Sequence, residues 1–470
     1  MMKSLLSVGI LLFGYSMFIS SCKKESFITS TNARLSITAD TVKFDTVFTT
    51  TGSVTQSFKI INENDQQLRL SKIKLMGGTG SSFKMNINGV PAVETDNIEI
   101  AANDSIYVFV SVTINPTTAN LPFIVNDSIL VNYNGNNRFI QLEAFGKNAR
   151  FLRNEVITAN TTWTNDLPYV ILGSLRIDTA AALIIPEGCN IYIHANAPIF
   201  VDGSLKVNGT ISNQVVFTGD RLDEAYRNLP ASWPGIYFRS TSKDNQLTFA
   251  VIKNASQALV VQHPSVNSNP KLVLHQCIID NAFETGLLSV NSSINADNTL
   301  ISNCGSNINI QLGGDYIFTN CTVASYSNLY LLHNIPVLQA ANFTTQNGAL
   351  LTADLNALFR NCIFWGDGGA IEDEVIMSKE GSNTFNVTIE NCLYKAVNDP
   401  ANTTFTSVIR NQDPLFDSID ISNKYFDFRT TRDAFAPGID NGISTPFPKD
   451  LDDHPRIAGT ATDLGCYEKQ

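Results

Sequence analysis

The residues of this chain best suited to thiol or metal chemistry are its cysteines, five of which, out of eight, recur in one string. The string is an apolar residue, any residue, Asn or Gln, then Cys. It reads Leu274-His275-Gln276-Cys277, Ile301-Ser302-Asn303-Cys304, Phe318-Thr319-Asn320-Cys321, Phe359-Arg360-Asn361-Cys362 and Ile389-Glu390-Asn391-Cys392, with successive cysteines 27, 17, 41 and 30 residues apart. A zinc site draws on paired spacings such as C-x-x-C, and the chain has none. Disulfides need a specific dihedral that stacked neighbours pointing the same way reach with difficulty. The favoured expectation is a set of buried free thiols. In it the apolar residue faces a core, Asn turns a left-handed corner and Cys fills the inside of the bend.

Acid–base candidates are sparse where the string is densest. Between Lys253 and Arg360 the only Lys or Arg is Lys271, and the acids Asp280, Glu284, Asp297, Asp315 and Asp354 are scattered. A β-elimination needs a base, usually beside carboxylates that hold Ca²⁺. An inverting glycoside hydrolysis needs two carboxylates about 6.5–9.5 Å apart. Neither constellation is written locally. The best binding candidates are Asp223, Glu224, Tyr226 and Arg227, followed by Trp233, because sugar sites combine aromatic faces with acids and Arg. The competing expectation is an insertion that packs Trp233 on the coil below. A second cluster, Trp365-Gly366-Asp367-Gly368-Gly369 with Glu372-Asp373-Glu374, matches no EF-hand spacing and reads as a solvated turn. Asp450, Asp452, Asp453 and His454 read as part of a terminal cap, and His275 as a surface residue. No metal or cofactor is expected.

The ends and the composition set the context. Lys3 precedes an apolar stretch from Leu5 to Phe18, closed by Ile19-Ser20-Ser21-Cys22 before Lys23-Lys24-Glu25. That is the form of a secretory signal, and its small-small-Cys ending resembles the lipobox of bacterial lipoproteins. The resemblance implies a signal peptide over 1–21, lipid attachment at Cys22 and a tether over 22–33. It places the chain in the cell envelope, anchored to the outer membrane on a face the sequence leaves open. A net charge of −11 argues against nucleic acid. The chain's 470 residues exceed one ordinary core.

From Leu35 to Lys147 the pattern is period-two alternation, as in Tyr107-Val108-Phe109-Val110-Ser111-Val112, broken by turns such as Asn88-Gly89 and Asn134-Gly135. This predicts a β-sandwich over 34–149. The Asn-rich turn at 62–65, Ile98-Glu99-Ile100 before Ala101-Ala102-Asn103-Asp104, and Phe145-Gly146 resemble immunoglobulin-like modules of bacterial surface proteins and the Hydin-type family. Arg150 to Thr161 reads as a join, and Leu222 to Leu229 as the one stretch with helical period.

Beyond the join the strands become short and apolar. Ile184-Ile185-Pro186-Glu187-Gly188, Val201-Asp202-Gly203-Ser204-Leu205, Val216-Phe217-Thr218 and Trp233-Pro234-Gly235-Ile236 resemble the opening coils of right-handed parallel β-helices, the pectate-lyase-like superfamily. The resemblance implies an all-β chain with a solenoid over 150–420. Segments such as Asp463-Leu464-Gly465-Cys466-Tyr467-Glu468 resemble the terminal segment of bacterial surface β-helix proteins, which implies a C-terminal cap over 421–470. The superfamily includes polysaccharide lyases and hydrolases, but the paired-Asp and Gly-His-Gly strings of polygalacturonases are absent. The expectation is a non-catalytic envelope lipoprotein that presents its solenoid to a polysaccharide or another surface protein. A polysaccharide lyase or glycoside hydrolase is the alternative, and an adhesin the third reading.

Overall fold

The computed structural model describes residues 26–48, 53, 55–115, 123–224, 226–430 and 432–470. The expected signal segment and residues 22–25 of the expected tether, Cys22 among them, lie outside the described residues. The chain is all-β and divides into two units, Met1–Asn148 and Ala149–Gln470. The one helical element among the described residues is a 3₁₀ turn at Gly78–Gly80.

The first unit is a sandwich of two five-stranded sheets. One sheet orders Leu35–Ile37, Gln56–Asn62, Ser105–Val112, Phe83–Ile87 and Val90–Pro91. The other orders Thr41–Phe48, Asn136–Lys147, Phe123–Tyr133, Leu68–Leu75 and Glu94–Ile100. Alternation sends Phe58, Ile60, Val108 and Val110 inward from the first sheet, to meet Ile73, Ile129, Val131 and Leu142 from the second. In the Asn-rich turn, the Asn62 amide donates to the carbonyls of Gln66, Ile100 and Ala101, closing a buried bend.

The second unit is a parallel β-helix built on a 26-stranded sheet. Its strands stack in three ladders. The first carries Asn190–Ile193, Val215–Gly219, Ala250–Lys253, Ile278–Asp280, Leu300–Ser302, Thr322–Tyr326 and Ile363–Asp367. The second runs through Ile199–Val201, Ile236–Phe238, Gln257–Gln262, Leu338–Ala341 and Val375–Ser378. The third runs through Ala182–Pro186, Ser204–Asn208, Asn245–Thr248, Leu272–His275, Leu355–Arg360 and Phe385–Glu390. Inward residues of all three make one continuous core. Trp163 stacks on Tyr169 at 3.9 Å near its start, and Phe405 and Val408 pack on it near its end. The expected join is already solenoid, since Arg150–Ile157 pairs in parallel with Tyr169–Ile177. The stretch expected to have helical period, Leu222 to Leu229, forms turns.

The cysteine string resolves into two different corners. Gln276, Asn298, Asn320, Asn361 and Asn391 lead from the third ladder to the first, all with φ between 47° and 54°. Asn303 lies instead between the first and second ladders, beneath Asn281 and Asn254, also at positive φ. This mixing explains the irregular spacing. Along one corner the Asn or Gln positions are 22, 22, 41 and 30 residues apart, and the long interval contains the hairpin Phe343–Gln346 with Ala349–Thr352.

Each corner thiol donates to the carbonyl two residues earlier. Cys277 Sγ reaches His275 O at 3.4 Å, Cys321 reaches Thr319 O at 3.4 Å, and Cys362 and Cys392 reach Arg360 O and Glu390 O at 3.2 Å. Thr299, in register between Cys277 and Cys321, makes the same bond to Asp297 O at 2.9 Å. The residue is thus a small donor as well as a filler. It supplies a second donor to a carbonyl that already accepts the corner N–H of the adjacent coil, as Glu390 O does from Asn361 N at 3.1 Å.

The C-terminal segment differs from the expected end cap. It descends the side of the solenoid along the corner column. Asn391 donates to Asn441 O, Asn361 exchanges two bonds with Ile443, and Asn320 donates to Thr445. Arg456 donates to Asn298, and Gln276 to Asp450 O. Phe428, Leu451, Leu464, Cys466 and Tyr467 then cover the outward Leu300, Tyr326, Ile363, Trp365 and Leu393 of the first ladder. Outward apolar residues on those rungs required a side cover, and the segment supplies it.

Two measurements check this packing. Burial pushes Cys277 and Cys466 up to about 12 and Cys189 up to about 11, and all seven described cysteines are buried and free. A thiol reagent is therefore expected to miss them in native protein and to titrate all of them after denaturation without reductant. Separately, burial raises Glu468 to about 7 and also raises Asp450 and Asp463. All three folded-state values exceed the unfolded ones, and for Glu468 the contribution is complete below about pH 4.5 and is lost as pH rises through 7. The urea midpoint should fall between pH 5 and pH 8 by the equivalent of about 1–3 kcal/mol. Glu468→Gln should remove most of that slope.

Candidate functional site

The charged loop that looked like a sugar ledge leaves the first ladder after Gly219 and returns at Trp233. Trp233 is fully buried and its indole N–H donates to Lys253 O at 3.0 Å, so it belongs to the core and not to a ligand surface. The next glycine, Gly235, has φ +138°, and a Cβ there would lie 1.7 Å from Gln257 O. The chain re-enters the coil too tightly for the indole to face outward. Asp223 is held by the Arg221 guanidinium at 2.9 and 3.1 Å, and that guanidinium lies 3.9 Å from the Tyr226 ring centroid. Tyr226, Glu224 and Arg227 are exposed. The five residues do not converge on one groove.

The backbone of the same loop has another use. Asn254 donates to Arg227 O at 2.9 Å and Asn281 to Asn228 O at 3.0 Å, fastening the loop across the second asparagine corner. Asn281 also donates to Asn254 Oδ1 at 2.8 Å. The loop becomes one wall of a basin of about 160 Å³. The floor is the outward row of the first ladder, where Lys253, Asp280 and Ser302 stand on successive rungs in register. The opposite wall is Asn328 and Tyr330 from the segment after Tyr326, with Lys424 and Phe426 from the hairpin Ser418–Asp420/Tyr425–Asp427.

The electrostatics of the floor are specific. Asp280 accepts from Ser302 Oγ at 2.7 Å, yet burial raises its carboxyl above the usual range against that bond and against Lys253. Lys424 Nζ donates to the Tyr330 hydroxyl at 2.9 Å and lies 4.2 Å from the ring centroid, holding the ring at the rim. Asn328 Oδ1 accepts from the backbone N–H groups of Tyr330 and Leu331, which leaves its amide protons for another acceptor. Asp280 is the only carboxyl among the described lining residues. The basin can offer hydrogen bonds, an ammonium and an aromatic edge. A two-carboxylate reaction has no second member there.

The segment carrying Asn328 and Tyr330 is held from below. His333 and Glu374 are both buried, and His333 Nε2 meets Glu374 Oε1 at 2.7 Å while Glu374 Oε2 accepts from Val337 N at 3.2 Å. The expected solvated turn at 372–374 is therefore partly interior. Asp373 accepts from Val397 N and Asn398 N, and Glu374 anchors the neighbouring loop. His275, expected at the surface, is half-buried. Its Nδ1 pairs with Asp297 at 2.5 Å, and that carboxylate raises the imidazole above its ordinary value. Asp450, Asp452 and His454 lie close enough to share a cation. However, the Asp450 oxygens take His454 N and Glu468 N, and both Asp452 oxygens take Arg429. Those bonds belong to the C-terminal segment.

Sequence reasoning missed the basin because its residues come from six separate stretches. One signal was available. Lys253-Asn254, Asp280-Asn281 and Ser302-Asn303 place an outward polar residue before a corner Asn at intervals of 27 and 22 residues.

No family model and no curated protein matches the chain. Solved structures similar to it include a family 123 glycoside hydrolase from Clostridium perfringens, at 11% identity, 28% of this chain, 30% of that chain and a TM-score of 0.19. The chain thus spans less than a third of that hydrolase's own length. The PapD-like domain 7 of human CEP192 matches at 9% identity, covering 28% of this chain and 94% of that one with a TM-score of 0.18. The catalytic unit of a GH87 α-1,3-glucanase from Streptomyces thermodiastaticus matches at 9% identity, covering 79% and 91% with a TM-score of 0.22. What the basin does rests on its own geometry.

Lys271, the sole Lys or Arg of the central coils, is fully buried. Its ammonium donates to Arg239 O and Ser240 O at 3.1 Å and to Gln262 O at 2.7 Å, and burial lowers it to about 8. It closes the base of the 263–270 loop and is sealed from any substrate. Lys271→Met should keep the stem's packing but remove three hydrogen bonds to buried carbonyls, of which Arg239 O keeps its bond from Ser242 N, lowering stability by on the order of 2 kcal/mol in urea. An unchanged midpoint would show that these bonds contribute nothing net.

Proposed function

We propose that the chain is a non-catalytic cell-envelope lipoprotein, anchored to the outer membrane through Cys22, whose solenoid binds a glycan at the Lys253–Asp280 basin. The observation that carries this reading is the concentration of unspent hydrogen-bonding groups around one aromatic rim. Asn281, Asn303, Asn328 and Lys253 line the basin, and Asn281 Oδ1, Asn303 Nδ2, Asn328 Nδ2 and Lys253 Nζ make no hydrogen bond among the described residues, Lys253 interacting with Asp280 through charge alone. Hydroxyl-rich ligands are held by such carboxamides, with a Tyr ring against the sugar's C–H face. The basin is smaller than the roughly 300–1,000 Å³ typical of pockets that enclose a whole small ligand. One ring of a longer chain suits it better, the rest lying along the solenoid.

Asp280, with its raised carboxyl, is the feature that favours the alternative of a hydrolase, because a general acid must be protonated near neutral pH. Both stereochemical routes of glycoside hydrolysis need a second carboxylate, at about 5–5.5 Å or about 6.5–9.5 Å. The described lining supplies none, so binding without turnover is preferred.

The purified chain should be retarded by one member of a polysaccharide panel in affinity electrophoresis, with no release of reducing or unsaturated ends. Tyr330→Ala should weaken that retardation about tenfold, the scale of one lost ring contact. Product release abolished by Asp280→Asn would replace binding with hydrolysis. Silence across the panel would favour adhesion to a protein partner.

A further inference from the structure

We infer that the N-terminal sandwich carries a ligand site of its own, a cleft for an anionic sugar on the exposed face of its first sheet. The strand Ser105–Val112 alternates, and Ile106, Val108, Val110 and Val112 fill the core. The same alternation leaves Tyr107 and Phe109 outward, 41% and 36% exposed. Their rings lie 5.7 Å apart at 14°, so each holds the other in place.

Register decides what surrounds the rings. Lys59 of the neighbouring strand pairs with Tyr107, and its Nζ lies 4.7 Å from that ring's centroid. On the other side Asn86 pairs with Phe109, and Lys84 with Ser111. Phe109, Lys84, Asn86, Ser111, Thr55 and Pro91 line a cleft of about 410 Å³, within the usual range of ligand sites. Asn86 Oδ1 accepts from Gly89 N at 2.8 Å, which leaves its amide protons to face the cleft.

Charge selects the occupant. Lys84 is the only charged residue among the described lining, and the chain as a whole carries −11. A cleft whose described lining carries one ammonium and no carboxylate, on an acidic protein, favours an anionic ligand. An apolar peptide would cover Phe109 but bury the Lys84 ammonium and the Asn86 amide unpaired, which is costly. A pyranose ring lays its C–H face on Phe109, sets hydroxyls against Asn86, Ser111 and Thr55, and brings a carboxylate or sulfate to Lys84. This site lies wholly in the first unit and does not depend on the basin of the solenoid.

The test uses the full chain against three oligosaccharides of equal length, one built on hexuronates, one sulfated and one neutral, by titration calorimetry. At least one anionic probe should bind, more tightly than the neutral one and several-fold more weakly at high salt. Phe109→Ala should raise the Kd about tenfold, Lys84→Gln should remove the preference for the anionic probe, and Lys84→Arg should restore it. Tyr330→Ala, in the basin, should leave this binding unchanged. The hexuronate and sulfated arms identify the anion. Equal affinity for the neutral probe, binding by none of the three, or wild-type affinity in Phe109→Ala with an unchanged melting temperature would each overturn the inference.

Discussion

The solenoid depends on how its corners dispose of their carbonyls. A coil that turns in one residue must place that residue at positive φ, which Asn tolerates better than other side chains. The turn also directs a carbonyl inward, where no water reaches it. At Cys277, Thr299, Cys321, Cys362 and Cys392 the next residue supplies a small donor to that carbonyl. The same carbonyls accept the corner N–H of the adjacent coil, so the thiol or hydroxyl engages the second lone pair of an acceptor already held by the backbone. The alternation of thiol and hydroxyl at one structural position argues that hydrogen bonding, beyond volume, sets the choice.

From that constraint follows a division of the surface. Corner asparagines are polar, regularly spaced and rigid, so each column is a ready docking rail. One column is filled by the C-terminal segment, which meets it rung by rung from Asn391 down to Gln276. The other, at Asn254, Asn281 and Asn303, is only partly filled by the loop after Gly219. Its unfilled portion is the basin. Scaffold and site thus use the same residue type, and they differ in whether the chain has covered its own rail.

Much of the fold was legible in the sequence, because period-two alternation and the corner string are local signals. The expected all-β architecture stands, and so does the inward placement of Leu274, Ile301, Phe318, Phe359 and Ile389. Cys304 misled, since one four-residue pattern serves two corners of the coil and only register separates them. Trp233 as a binding residue failed for a different reason, and the competing expectation of an indole packed on the coil is what the structure shows. Its charged neighbours suggested a surface, whereas the tight approach of Gly235 to Gln257 turns the indole inward. The basin was hidden because Lys253, Asp280, Tyr330 and Lys424 meet only after coils stack and two insertions fold back.

Apart from Asp297, which pairs with His275 on a regular rung, buried charge gathers where the regular coil is interrupted. Lys271 closes the 263–270 loop, His333 and Glu374 fasten the segment that carries Tyr330, and Arg456 locks the C-terminal segment to Asn298. Desolvating such groups is expensive, and hydrophobic residues of similar size often stabilise as well or better. Their value lies in direction, because an ammonium bound by three carbonyls or an imidazole bound by a carboxylate permits few alternative loop positions. An apolar plug would hold the same insertion more loosely. The ladders need no such devices, since every rung is templated by the one before it. Rigid placement of Asn328 and Tyr330 therefore comes from the interior pair beneath them, and the recognition chemistry of the basin is only as well defined as that pair.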